Sequence, residues 1–124
     1  MVRLLHASLL IEHRANLSTC AEPPPGQLRL ASPKTSKFAA DLLGAAAKLF
    51  KSSMFSSGGD EINMLCYKED VETQQALNAS GKTFEQALDA FTQESHASLR
   101  KQGKSAVVWE GASFWNLAPR RPLT

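Results

Sequence analysis

A chain of 124 residues with 43% apolar side chains is long enough to bury one modest core. Its 14 Lys and Arg against 12 Asp and Glu leave a charge of +2 at pH 7 with no run of like charge, so neither a nucleic-acid footprint nor an anionic-membrane footprint is indicated. No stretch reaches the roughly 20 apolar residues that a membrane-spanning helix needs.

At the start, Arg3 and the apolar residues 4–11 imitate a signal peptide, but Glu12-His13-Arg14 interrupts them and no small-residue cleavage site follows. Residues 21–26, Ala-Glu-Pro-Pro-Pro-Gly, form a turn or extended connection, because consecutive prolines fix φ and remove backbone donors. Arg29, Lys34, Lys37, Lys48 and Lys51 read as a solvated charged face. Over residues 36–50 the spacing of Phe38, Leu42, Ala45, Ala46 and Leu49 predicts an amphipathic helix with that face toward the core and a small-residue patch suited to close packing.

Residues 54–57 form a short candidate strand ended by Gly58-Gly59, where the chain is free to turn sharply or approach a ligand. Thr83-Phe84-Glu85-Gln86 reads as a capping box, and Phe84, Ala87, Leu88, Phe91, Ser95 and Leu99 continue one helical face to Gln102, with Gly103 as the stop. The run Ser105-Ala106-Val107-Val108-Trp109 is apolar without alternation, as for a strand covered on both faces of a parallel sheet. Residues 111–124 have no periodicity and are expected to fray. The order helix, strand, helix, strand predicts an α/β fold with parallel strands and functional residues at their C-terminal ends, where Asp60, Glu61, Trp109 and Glu110 fall.

Cys20 and Cys66 are either one disulfide or two thiols by count alone. Asn16-Leu17-Ser18 and Asn78-Ala79-Ser80 match the glycosylation sequon. His13 and His96 have no acid or cysteine at a ligand spacing, so no metal site is expected.

Gly58-Gly59-Asp60-Glu61 on its own describes a solvated turn or a helix start as well as it describes a catalytic site. Its setting narrows the choice. Met54-Phe55-Ser56-Ser57 leads into it, Ile62-Asn63 and Cys66-Tyr67 follow, and a later strand ends in Val107-Val108-Trp109-Glu110. With Ala21-Glu22-Pro23-Pro24-Pro25-Gly26-Gln27-Leu28-Arg29-Leu30 and Leu77-Asn78-Ala79-Ser80-Gly81-Lys82-Thr83, these blocks resemble the fungal members of glycoside hydrolase family 20, the beta-N-acetylhexosaminidases, in which a Gly-Gly-Asp-Glu ends the fourth strand of a (β/α)8 barrel.

The resemblance implies substrate-assisted retaining catalysis, in which the acetamido carbonyl of the sugar attacks its own anomeric carbon and no enzyme nucleophile is needed. Glu61 would be the general acid and then base, and Asp60 would orient the acetamido group and stabilise the charge that develops on it. Chain physics agrees with the division: adjacent side chains on an extended strand point apart, and two neighbouring carboxylates resist joint ionisation, so one can keep the proton an acid catalyst needs. The resemblance makes Trp109 a wall of the acetamido pocket, where the residue type alone describes a core tryptophan equally well. It matches His6 to an active-site histidine, against a plain surface histidine. It pairs Cys66 with the earlier half-cystine, here Cys20, and makes Glu110 a polar group on the barrel rim.

The organisation that follows is a divergent segment over 1–20, a partial family 20 catalytic barrel over 21–110 and a divergent tail over 111–124. The fold expected is an incomplete fragment of a TIM barrel, since a whole one takes about 250 residues. The implied substrates are glycans ending in N-acetylglucosamine or N-acetylgalactosamine, or chitooligosaccharides, with no cofactor and an extracellular setting. Open sheet edges predict self-association, and the rival reading is a noncatalytic helix-strand module that binds a partner.

Overall fold

The computed structural model describes residues 9–11, 26–59 and 62–108. In chain order these form β1 (Leu10–Ile11), β2 (Gln27–Leu28), α1 (Pro33–Ala47), β3 (Met54–Gly58), α2 (Met64–Glu69), α3 (Val71–Ser80), α4 (Phe84–Lys101) and β4 (Ser105–Val108). β3 and β4 pair in parallel, and the helices between them make the crossover that parallel strands require. The expected α/β unit with parallel strands is thus present. β1 and β2 form a separate antiparallel pair, Leu10 opposite Leu28 and Ile11 opposite Gln27, which the parallel expectation did not include.

Local chemistry explains the boundaries. Pro33 occupies the first turn of α1, where its fixed φ fits and its missing donor costs nothing. Asn63 caps α2 by accepting from the amides of Leu65 at 3.1 Å and Cys66 at 3.3 Å. Asp70 ends α2 and caps α3. The capping box at Thr83 is formed on both sides: Thr83 Oγ1 accepts from Gln86 N at 3.2 Å, and Gln86 Oε1 accepts from Thr83 N at 3.0 Å. Before the strands, the Lys104 ammonium donates to the carbonyls of Phe50 at 2.6 Å and Ser52 at 2.5 Å, tying together the segments that lead into β4 and β3.

The helix at 33–47 turns the other way from the sequence expectation. Its buried residues are Thr35, Ser36, Ala39, Ala40, Gly44 and Ala47, whereas Phe38 is 48%, Leu42 57% and Leu49 81% exposed. The reason is the neighbour. α1 packs along α4 closely enough that Ser98 Oγ donates to the Ala40 carbonyl at 2.6 Å and the Ser36 hydroxyl to the Glu94 carboxylate. Such an approach admits small side chains only; a Cβ on Gly44 would stand 2.5 Å from Ser98 Oγ.

The core proper lies under β2, α2 and α4. Ile11, Leu30, Cys66, Tyr67, Phe84 and Ala87 are buried together, with Ile62, Met64, Leu77, Leu88 and Phe91 packed around them. The Tyr67 and Phe84 rings meet at 4.6 Å between centroids, tilted by 46°. On β4 the expected two-sided burial is not found. Ser105 and Val107 are exposed while Ala106 and Val108 are partly buried, because α4 covers one face of the strand pair.

Candidate active site

The acidic pair follows β3, and the chain is fixed on both sides of it. Upstream, β3 runs in register with β4: Met54 opposite Ser105, Phe55 opposite Ala106, Ser56 opposite Val107 and Gly58 opposite Val108. Two partners skip one residue, so Ser57 forms a bulge in a parallel pair, an uncommon feature that concentrates beside functional sites. Gly58 and Gly59 then take φ of 73° and 107°, values that side chains rarely tolerate, and the glycine pair is used as its sequence suggests. Downstream, Ile62 packs against the core and Asn63, besides capping α2, donates its amide to Gln27 Oε1 at 3.3 Å.

Because Gly58 lies opposite Val108, the C-terminal ends of the two strands are side by side. Asp60 stands two residues after the end of one and Trp109 one residue after the end of the other. Asp60, Glu61, Trp109 and Glu110 themselves lie outside the described residues, as do His6, Cys20 and Asn16. Asn78 is exposed in the last turn of α3, and Cys66 is fully buried in α2.

Two polar clusters behind this rim escaped sequence reasoning. In the first, Ser57 Oγ lies 3.1 Å from His96 Nε2 on α4 and 3.4 Å from the Val107 carbonyl, which it faces as donor. Burial, aided by the nearby Arg100 charge, lowers the His96 pKa from its ordinary value and favours the neutral ring.

In the second, Arg29 is not part of a solvated face. It is 6% exposed and ion-paired with Asp70, itself 5% exposed. Burial alone would raise the Asp70 pKa, but the bonds from Arg29, the Thr73 hydroxyl and the Thr73 amide outweigh it and hold the carboxyl below its ordinary value. Tyr67 donates its hydroxyl to the Leu28 carbonyl at 2.8 Å, and burial together with the Asp70 charge raises its pKa. The Asp70-Val71-Glu72-Thr73 cap signature was available in the sequence; no short-range pattern points from Asp70 to Arg29. Among the described residues no group of three His, Cys, Asp or Glu side chains converges as a metal site.

The profile of Glycosyl hydrolase family 20, catalytic domain, matches residues 5–118. The chain belongs to this family. Beta-hexosaminidase 1 of Coccidioides posadasii is 27% identical over 94 residues, which is 74% of this chain and 16% of the relative. Beta-hexosaminidase of Arthroderma benhamiae is 32% identical over 94 residues, 73% of this chain and 15% of the relative. Beta-hexosaminidase subunit A2 of Dictyostelium discoideum is 25% identical over 95 residues, 75% of this chain and 18% of the relative. The chain thus spans about a sixth of the length of these curated relatives. By family it is grouped with the beta-N-acetylhexosaminidases, and its β3–α2–α3–α4–β4 unit is consistent with the strand-helix alternation of a (β/α)8 barrel.

Proposed function

We propose that the chain carries the acid pair of a family 20 hydrolase that removes terminal, non-reducing N-acetyl-D-hexosamine from beta-N-acetylhexosaminides, chitooligosaccharides included. In this reading residues 21–110 are the barrel part. The acetamido oxygen forms the bond to the anomeric carbon as the glycosidic bond breaks, and Glu61 gives its proton to the leaving oxygen. Water then attacks the anomeric carbon of the oxazolinium, breaking its bond to the acetamido oxygen, while the Glu61 carboxylate takes the proton from the water. Asp60 accepts from the acetamido N–H and steadies its charge, Trp109 holds the methyl group, and His6 contributes to the sugar site.

The observation that carries this reading is the parallel register. The strand leading to Asp60-Glu61 and the strand leading to Trp109 end next to one another, Gly58 against Val108, in a chain of this family. A chromogenic N-acetylglucosaminide tests it. Turnover by the purified chain that falls by about 10³-fold or more in Glu61→Gln supports the role, and turnover that survives the substitution removes it.

A Cys20–Cys66 bridge and an extracellular setting belong to the same proposal. Cys66 is fully buried and is not a free thiol, and Asn78, in its sequon, is exposed as an acceptor must be. Mass spectrometry with and without reduction tests the bridge; alkylation of Cys66 in unreduced protein would refute it.

One feature favours a second reading, a noncatalytic association module. The apolar stripe Phe38, Leu42 and Leu49 faces solvent along α1 and its exit. Sedimentation of a folded chain that lacks turnover, compared with a Phe38→Ser/Leu42→Ser variant, separates the two readings.

A further inference from the structure

We propose that the exposed face of α1 is a coiled-coil seam for a second copy of this chain, packed antiparallel across a two-fold axis. The inference takes no support from the hydrolase reading, and it names the partner that the association reading leaves open.

Phe38, Leu42, Ala45 and Leu49 follow one another at four, three and four residues, the spacing of alternating d and a positions in a heptad. All four are exposed, while α1 gives the small residues of its other face to α4. The helix therefore carries two packing faces, and its larger apolar side chains lie on the one without a neighbour among the described residues. In the same frame Lys34, Asp41 and Lys48 take the g positions, and all three are exposed. Ala39 and Ala46 take the e positions, one buried and one partly buried.

Flanking charges choose the partner of such a seam and its direction. In a parallel pair each g residue faces an e residue of the other helix, here an uncharged alanine, so nothing fixes that arrangement. Reversing one helix brings g against g. Full overlap of the seam then sets Phe38 against Leu49 of the second copy and Leu42 against its Ala45, each pairing made twice by symmetry. The same register brings Asp41 beside Lys48 of the second copy, again twice. Sliding by one heptad either way loses layers and sets like charges together, Asp41 against Asp41 or Lys48 against Lys48. One antiparallel register is thus apolar along its whole length and complementary in charge. Asp41 holds Lys37 of its own chain at 2.7 Å and keeps its side chain 66% exposed, open to a second cation. A two-fold contact closes on itself, so it makes a dimer rather than a filament. Four layers form a small interface, and the dimer expected is weak and reversible.

The test is sedimentation equilibrium of the full chain from about 1 μM to about 1 mM, a range suited to weak association. Asp41→Lys, Lys48→Asp and the double swap are compared with wild type, and melting temperature checks that these exposed substitutions leave the fold intact. Each single reversal turns two attractive pairs into two repulsive ones and should weaken self-association by about 5-fold or more. The double swap, with net charge unchanged, should restore it. The two single variants mixed should associate better than either alone, since every pair between them is again unlike. A chain that stays monomeric throughout the range overturns the proposal, as does a double swap no better than the single reversals. Self-association indifferent to every substitution on α1 would place the contact at the sheet edges and overturn it as well.

Discussion

Arg29 and Asp70 meet in a two-pronged ion pair: Nε approaches Oδ2 and Nη2 approaches Oδ1, each at 3.0 Å. The third guanidinium nitrogen, Nη1, reaches Glu72 at 3.0 Å on the exposed side. Asp70 uses the same carboxylate to cap α3, taking the Thr73 amide at 2.9 Å and the Thr73 hydroxyl at 2.7 Å on Oδ2. One side chain thus joins the segment after β2 to the start of a helix. Planar, paired geometry and complete satisfaction are the conditions under which a buried charge pair is tolerated.

Removing one partner should therefore be costly. Asp70→Ala leaves the guanidinium buried beside a half-exposed Glu72 and uncaps α3, for an expected loss of about 3–5 kcal/mol. The double variant Arg29→Met/Asp70→Asn keeps a capping oxygen and buries no charge, so it should lose less than the two single substitutions added together. Urea denaturation of the four proteins measures the coupling. Additive losses would show that the pair is not a unit.

The same pair predicts an acid limb. Asp70 has a folded-state pKa below its unfolded value near 3.9, so its contribution is fully present above that value and is lost as pH falls through the lower folded one. In Asp70→Asn the stability curve below about pH 4 should be flatter than in wild type. Tyr67 gives the opposite sign. Its folded pKa is raised, first by burial and then by the Asp70 charge, so its contribution is present below the unfolded value near 10 and is lost as pH rises through the folded one. Tyr67→Phe, which gives up the bond to Leu28, should cost about 1 kcal/mol near neutrality and should lessen the loss of stability above about pH 10.

These relationships also mark how far the sequence could be read. The capping box at Thr83, the glycine turn after β3 and the apolar face of α4 are written within a few neighbouring residues, and each formed as its pattern predicts. The helix over 33–47 was legible as a helix but with its faces exchanged. Apolar size points to Phe38 and Leu42, whereas the partner helix selected Ala39, Ala40 and Gly44 for close approach. Arg29 was unreadable as a buried residue because its carboxylate is 41 residues away, and Ser57 because its histidine is 39 away. The acids at 60 and 61 were named from blocks of sequence, and what the fold adds is the pairing of the strands that lead to them and to Trp109.

The packing of α1 on α4 makes the sign of one substitution depend on another. In most helix interiors Gly→Ala stabilises by about 0.5–1 kcal/mol through backbone entropy. Here the new Cβ of Gly44→Ala would press on Ser98 Oγ at 2.5 Å, and that hydroxyl is held in place by its 2.6 Å bond to the Ala40 carbonyl. Either the bond is given up or the helices separate, and overpacking of this kind costs about 1–3 kcal/mol. Gly44→Ala alone should therefore destabilise. Ser98→Ala removes the oxygen and leaves Ser98 Cβ at 3.9 Å from the new methyl, an ordinary contact, so Gly44→Ala introduced into that background should stabilise. The Ala40 carbonyl keeps its place in the helical ladder, which limits the loss from Ser98→Ala itself to about 1 kcal/mol. Thermal unfolding of the two single variants and the double gives the coupling directly. A Gly44→Ala effect of the same sign in both backgrounds would mean that the helices do not meet at Gly44 and Ser98.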